Sequence, residues 1–221
     1  MTTVRIIGDC HGAINTPSPK GKCYRDIIKD CYFSVQLGDM GFNYSGLRGI
    51  GNKHLFIPGN HDNYDALPIQ ALQDFGPVKL GPFSLFYARG EWSIDIKQRT
   101  EAMRQGFQKC WWEEEELSFK EMEECLDLYK FCKPDTVLTH GCPASISEEV
   151  GSPGVWAAFG WDGPRTSNTQ LLLQNMFEAH QPKLWLFGHY HRKWTKEVNG
   201  TTFMCIDELD HVDFNEDWSL V

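Results

Sequence analysis

Short apolar runs recur along this chain, and each gives way to a polar cluster built around glycine. The runs are Val4 to Ile7, Phe33 to Leu37, His54 to Ile57, Thr136 to Thr139 and Leu184 to Phe187. Their length and their branched or aromatic side chains are those of buried strands. The clusters that follow are Gly8-Asp9-Cys10-His11-Gly12, Gly38-Asp39, Gly59-Asn60-His61-Asp62, His140-Gly141 and Gly188-His189-Tyr190-His191. Open α/β sheets hold their ligands outside the carboxyl ends of strands. Five such runs therefore predict one sheet edge on which Asp, Asn and His side chains converge.

Between the runs the period changes. Tyr24, Ile27, Ile28 and Cys31 share one face of a predicted helix. Ser118 and Glu121 are spaced as a capping box, ahead of an apolar face of Phe119, Met122, Cys125, Leu126 and Tyr129. Further helices are predicted over 69–75 and from about residue 169 to 180. Val78 to Leu80 and Phe83 to Tyr87, joined by Gly81-Pro82, predict a hairpin of a second sheet. Lys193 to Val198 and Thr201 to Ile206 predict another, with Asn199-Gly200 as a type I′ turn. Two stretches lack periodicity. Residues 89–116 carry Trp92, Trp111, Trp112, Arg89, Arg99 and Arg104 and read as a cap over the site, with Arg99 and Trp112 as candidate substrate contacts. Residues 141–165 are rich in Gly and Pro and read as a long loop, too long for a simple connection and so a candidate lid.

The polar clusters define a chemistry. Carboxylate and amide oxygens mixed with imidazole nitrogens suit divalent metals such as Mn²⁺, Fe²⁺ or Zn²⁺, whereas a structural zinc or an iron–sulfur cluster would call for thiolates. In extended backbone, residues i and i+2 project the same way. Asp9 with His11, and His189 with His191, can thus reach one metal or two adjacent ones.

In order and content, these motifs from Asp9 to His191 resemble the signature of the calcineurin-like metallophosphoesterase superfamily. The resemblance implies a four-layer α/β/β/α sandwich and a two-metal hydrolase of phosphoester bonds with a metal-bridging hydroxide as nucleophile. It implies that Asp9, His11, Asp39 and His191 hold one metal. Asp39, Asn60, His140 and His189 would hold the second, with Asp39 bridging and His61 as the unligated acid. Mn²⁺ is the first expectation for both ions, with iron, Zn²⁺ or Mg²⁺ as alternatives. The protein Ser/Thr phosphatases of the superfamily carry an Asp and an Arg where this chain has Phe42 and Asn43. That departure weakens a phosphoprotein reading and leaves Asp62, or Asp65, to orient His61.

Charge and cysteine content narrow the partners. The formal charge of −9, from 21 basic and 30 acidic residues, argues against broad attraction to nucleic acid or an anionic membrane. A phosphoester substrate, a nucleotide among the candidates, fits better than a nuclease substrate; a low-activity protein-binding scaffold is the other alternative. Eight cysteines without a C-x-x-C pair predict reduced thiols. The chain enters its first strand without a signal-like segment, and no apolar run nears the ~20 residues of a membrane span. A single cytoplasmic domain is expected, and nothing in the sequence bears on oligomeric state.

Overall fold

The computed structural model describes residues 2–221. Its order is β1 (Val4–Ile7), α1 (Tyr24–Ile28), β2 (Phe33–Gln36), β3 (His54–Phe56), β4 (Phe75–Leu80), β5 (Phe83–Ala88), α2 (Ile96–Arg104), α3 (Phe119–Cys132), β6 (Thr136–Thr139), α4 (Ala144–Val150), α5 (Pro153–Ala158), α6 (Asn168–Ala179), β7 (Leu184–Phe187), β8 (Trp194–Val198), β9 (Thr201–Cys205) and β10 (His211–Phe214). One sheet has the order β10-β1-β2-β3 and the other β4-β5-β6-β7-β9-β8. Within them β1-β2-β3 and β5-β6-β7-β9 are parallel, while β10, β4 and β8 are antiparallel edges.

Alternation along each strand sorts the side chains into layers, because successive residues face opposite sides. From β7, Leu184 and Leu186 point into the core between the sheets, where they meet Ile6, Val35, Leu37 and Ile57. Trp185 and Phe187 point the other way, under the helices, with Cys125, Tyr129, Leu173 and Met176. A strand covered on both faces has no use for polar residues, so β7 reads Leu-Trp-Leu-Phe. Ile7 and Phe56 face outward from the first sheet onto Tyr24, Ile27 and Ile28 of α1. The result is the four-layer α/β/β/α sandwich.

Several sequence expectations hold in detail. The capping box of α3 is formed by Ser118 and Glu121. Asn199 and Gly200 have φ of 51° and 80°, the two positive values that a type I′ turn requires. All eight cysteines are free. Others are corrected. No helix forms over 69–75: the segment runs beside β3, with Phe56 N bonded to Gln70 O at 3.0 Å and Leu72 N to Phe56 O at 2.8 Å. Ile69, at the start of that segment, is 90% exposed. Phe119 is likewise exposed, so the buried face of α3 is carried by Cys125 and Tyr129. Residues 141–165 are not one loop but carry α4 and α5.

Candidate metal centre

The five polar clusters converge on one site, but from two sheets and not from the single sheet edge expected. Asp9 and His11 follow β1, Asp39 follows β2, Asn60 and His61 follow β3, His140 follows β6, and His189 and His191 follow β7. The first three strands belong to one sheet and the last two to the other, so the site lies across the seam. His11, Asp39, His189 and His191 all sit in the left-handed region, at φ of 45°, 58°, 67° and 48°. Residues with a Cβ seldom adopt it, and such strain gathers at functional sites. Two glycines admit the carboxylates: a Cβ on Gly188 would stand 2.3 Å from Asp9 Oδ1, and one on Gly59 would stand 2.4 Å from Asp39 Oδ1.

The donor atoms fall into two groups. In the first, ligand atoms of Asp9, His11, Asp39 and His191 lie within 4.8 Å of one another. His11 Nε2 and His191 Nε2 are 2.8 Å apart, and Asp9 Oδ2 is 3.0 Å from His191 Nε2. In the second, His140 Nε2 is 2.9 Å from Asn60 Oδ1, 3.2 Å from Asp39 Oδ1 and 3.3 Å from His189 Nδ1. His189 Nδ1 is 3.1 Å from Asn60 Oδ1. Asp39 presents Oδ1 to this group, while its Oδ2 lies 3.8 Å from His11 Nε2 in the other.

The first of these groups has the donor set of a metal site, and the second adds further oxygen and nitrogen donors beside it. Asp9 is fully buried; its Oδ1 accepts from His189 N at 3.0 Å, whereas Oδ2 has contacts but no aligned hydrogen bond. A carbonyl can only accept, so His140 Nδ1 donates to Leu37 O at 2.8 Å and Nε2 is left for coordination, the usual way a ligand imidazole is oriented. Burial, helped by the neighbouring His140, pushes His189 down to about 3 and keeps its ring neutral. Burial would raise Asp39, but His140, His61 and His11 outweigh it and hold the carboxyl well below its ordinary range. For His191, burial works downward and Asp9 outweighs it, giving a value of about 8. Cys10, between two candidate ligands, faces the core instead, so the donor set is oxygen and nitrogen, as first-row divalent ions accept.

His61 stands beside both groups. Its amide donates to Asp39 Oδ1 at 2.7 Å, and Phe42 stacks on its ring at 6.1 Å and 29°. Asp62 does not orient it. The Asp62 carboxylate accepts from Gly59 N at 2.8 Å, Gly41 N at 3.1 Å, Met40 N at 3.2 Å and Tyr44 Oη at 3.0 Å. Asp62 therefore ties two strand-end turns together, and burial raises its carboxyl to about 7. Asp65 pairs instead with Lys109 at 2.9 Å. The His61 ring nitrogen Nε2 lies 3.9 Å from Asp95 Oδ2. Asp95 also accepts from Arg99 Nε at 2.8 Å. Arg99 Nη2 meets His61 Nε2, and Nη1 donates to Asn60 O at 2.6 Å. Arg99 thus stands beside the donors, yet it is only 6% exposed and is engaged with protein. Trp112 is buried against Phe42, with centroids 5.6 Å apart, and does not line the cleft. Arg89 pairs with Asp74 at 3.1 Å and Arg104 with Glu101 at 2.6 Å.

Two cavities flank the donors. One, of about 720 Å³, runs from His189 and Asn60 past Trp92 and Asp95 to Trp156, Arg165 and Arg192. The other, of about 400 Å³, is lined by Asn15, Thr16, Phe42, Asn43 and Ser45 among others, and His11 and His61 line both. Much of the wall of the larger cavity comes from the two segments without period, 89–116 and 141–165, but no individual residue of the second was singled out in the sequence.

The sequence profile of the calcineurin-like phosphoesterases matches residues 2–193, and the chain belongs to that family. No curated protein matches it significantly in sequence. Among solved structures, it is similar to the phosphopantetheinyl hydrolase of Mycobacterium tuberculosis, at 11% identity and a TM-score of 0.46, over 94% of this chain and 90% of that one. It is also similar to Vps29 complexed with Zn²⁺ from Entamoeba histolytica (13%, 0.41, over 99% and 88%). GAP50, the anchor in the inner membrane complex of Plasmodium, is a third (11%, 0.46, over 96% and 81%). No helix among the described residues is long and apolar enough to cross a membrane.

Proposed function

We propose that the protein hydrolyses phosphoester bonds with two divalent cations, Mn²⁺ first among them. The observation that supports this reading is the pair of donor groups sharing Asp39, with His61 beside both. Asp9, His11, Asp39 and His191 would hold one cation, and Asp39, Asn60, His140 and His189 the other. Such ions, when bound, neutralise charge on the phosphoryl oxygens and lower the pKa of water towards roughly 7. The chain's own residues supply the rest. Water oxygen bonds to phosphorus and releases its proton to solvent as the bond to the leaving oxygen breaks, and His61, as the imidazolium, gives that leaving oxygen its proton. Arg99 can only donate, so His61 Nε2 accepts from it in the resting ring, and the ring becomes the acid once it takes up a second proton and lets go of Arg99. Asp95 balances the guanidinium and holds it in place.

Dialysis against chelator is expected to abolish hydrolysis of p-nitrophenyl phosphate and of bis(p-nitrophenyl) phosphate, and added Mn²⁺ to restore at least one. Full activity in demonstrably metal-free protein would overturn the reading.

A further inference from the structure

We propose that the substrate carries two substituents on phosphorus, one a flat heteroaromatic group and the other smaller and polar, as in a small nucleoside phosphodiester. The inference rests on the phosphoesterase reading above and settles which ester that reading concerns.

Its first ground is the layout of space around the donors. A phosphomonoester has one substituent and needs one cleft. Here two cavities open from the donor groups, and His11 and His61 belong to both linings. A phosphorus held between those histidines would direct one arm into each.

The cavities differ in chemistry. In the larger, Trp92 and Trp156 lie within 19° of parallel with centroids 6.2 Å apart, and both are half-buried. Trp161 meets Trp92 edge-on at 5.2 Å, and the Arg165 guanidinium lies 4.4 Å from the Trp161 ring. Flat apolar faces beside a guanidinium suit the π-face of a base, since every base can stack and planar cations add to it. Arg165 and Arg192, both exposed, line this cleft, and neither has a carboxylate partner among the described residues. In a chain of net charge −9, they give this cleft two cations for a phosphate or base oxygen, Arg192 also donating Nη1 to Val150 O. The smaller cavity offers Asn15, Thr16, Asn43 and Ser45, amides and hydroxyls suited to a sugar or another hydroxylated arm. A cavity of about 720 Å³ lies in the range that accepts a nucleotide-sized ligand. The acidic balance of the chain opposes a long polyanion, which keeps the substrate small.

The test compares three esters with the same leaving group on the Mn²⁺-loaded full chain: p-nitrophenyl phosphate, bis(p-nitrophenyl) phosphate and thymidine 5′-(p-nitrophenyl phosphate). The thymidine diester is expected to have the highest kcat/KM, exceeding the monoester by roughly tenfold or more. Trp156→Ala should raise KM for the thymidine diester by roughly tenfold more than for the monoester, in line with the loss of one stacking face. Trp156→Phe, which keeps a ring, should retain most of the preference and guards against a folding defect in the alanine variant. A monoester preference in the wild type would overturn the inference, as would equal effects of Trp156→Ala on both esters. If none of the three is hydrolysed, the phosphoesterase reading fails, and the inference is decided by binding. Thymidylyl-thymidine should then quench tryptophan fluorescence in the wild type and much less in Trp156→Ala; absence of quenching would overturn it.

Discussion

His61 is one imidazole whose surroundings pull in opposite directions. Burial lowers its affinity for a proton; Asp39 and Asp95 raise it, and Arg99 and His11 lower it, with a net downward shift. If His61 is the acid, the alkaline limb of the kcat profile follows its deprotonation. Removing the guanidinium in Arg99→Ala should then move that limb to higher pH, and removing the carboxylate charge in Asp95→Asn should move it to lower pH. Both should reduce kcat for all esters alike, with partial recovery in Arg99→Lys. A change confined to KM would instead make Arg99 a substrate contact. His61→Ala itself is expected to lower kcat by roughly 10²-fold or more while two metals per chain remain by elemental analysis. Asp62 belongs to a different kind of residue, because its work is done on backbone. Asp62→Ala strips the partner from three amides and a tyrosine hydroxyl, and each buried orphan costs about 1–3 kcal/mol. A loss of about 3 kcal/mol or more is expected from the urea midpoint at unchanged slope. A loss below 1 kcal/mol would mean that water readily replaces the carboxylate.

At the scale of the element, the unit that matters is a strand followed by a glycine and a ligand in a tight turn. Gly188→Ala places a methyl 2.3 Å from Asp9 Oδ1, closer than any relaxed contact, and the carboxylate must swing away. The variant is expected to keep its helical and sheet content by circular dichroism and to lose cation affinity at least tenfold by calorimetry, an order of magnitude typical of disturbing a ligand's support. Unchanged affinity would show that the turn can open without moving Asp9. These units were legible in sequence because each is local: run, glycine and donor lie within six to eight residues. The Arg99 contacts were not, since they join residues 38 and 39 positions apart and depend on how α2 packs against the turn after β3. Nor could the sequence distinguish Trp112, which is buried, from Trp156, which lines the cleft, because both lie in stretches without a readable period. The helices α4 and α5, of seven and six residues, are too short for periodicity to declare them, and short helices owe their stability to packing rather than to propensity.

In the whole molecule, the donors draw on both sheets, with Asp9, Asp39 and Asn60 from one and His140, His189 and His191 from the other. Cations bound there would join the layers at the same seam that the apolar core closes from within. His11 and His191, whose nitrogens approach to 2.8 Å, are 180 positions apart in the chain. That separation sets an order in time. As the polypeptide emerges N-terminus first, Asp9, His11, Asp39 and Asn60 are available early, and the histidines that complete both donor groups come after more than four-fifths of the chain is made. Closing so long a loop is slow and entropically costly before docking rewards it. Metal capture should therefore be the last event of maturation. In refolding with Mn²⁺ present, metal uptake is expected no earlier than the slowest phase of tryptophan fluorescence; uptake ahead of that phase would mean that one sheet alone assembles a competent site.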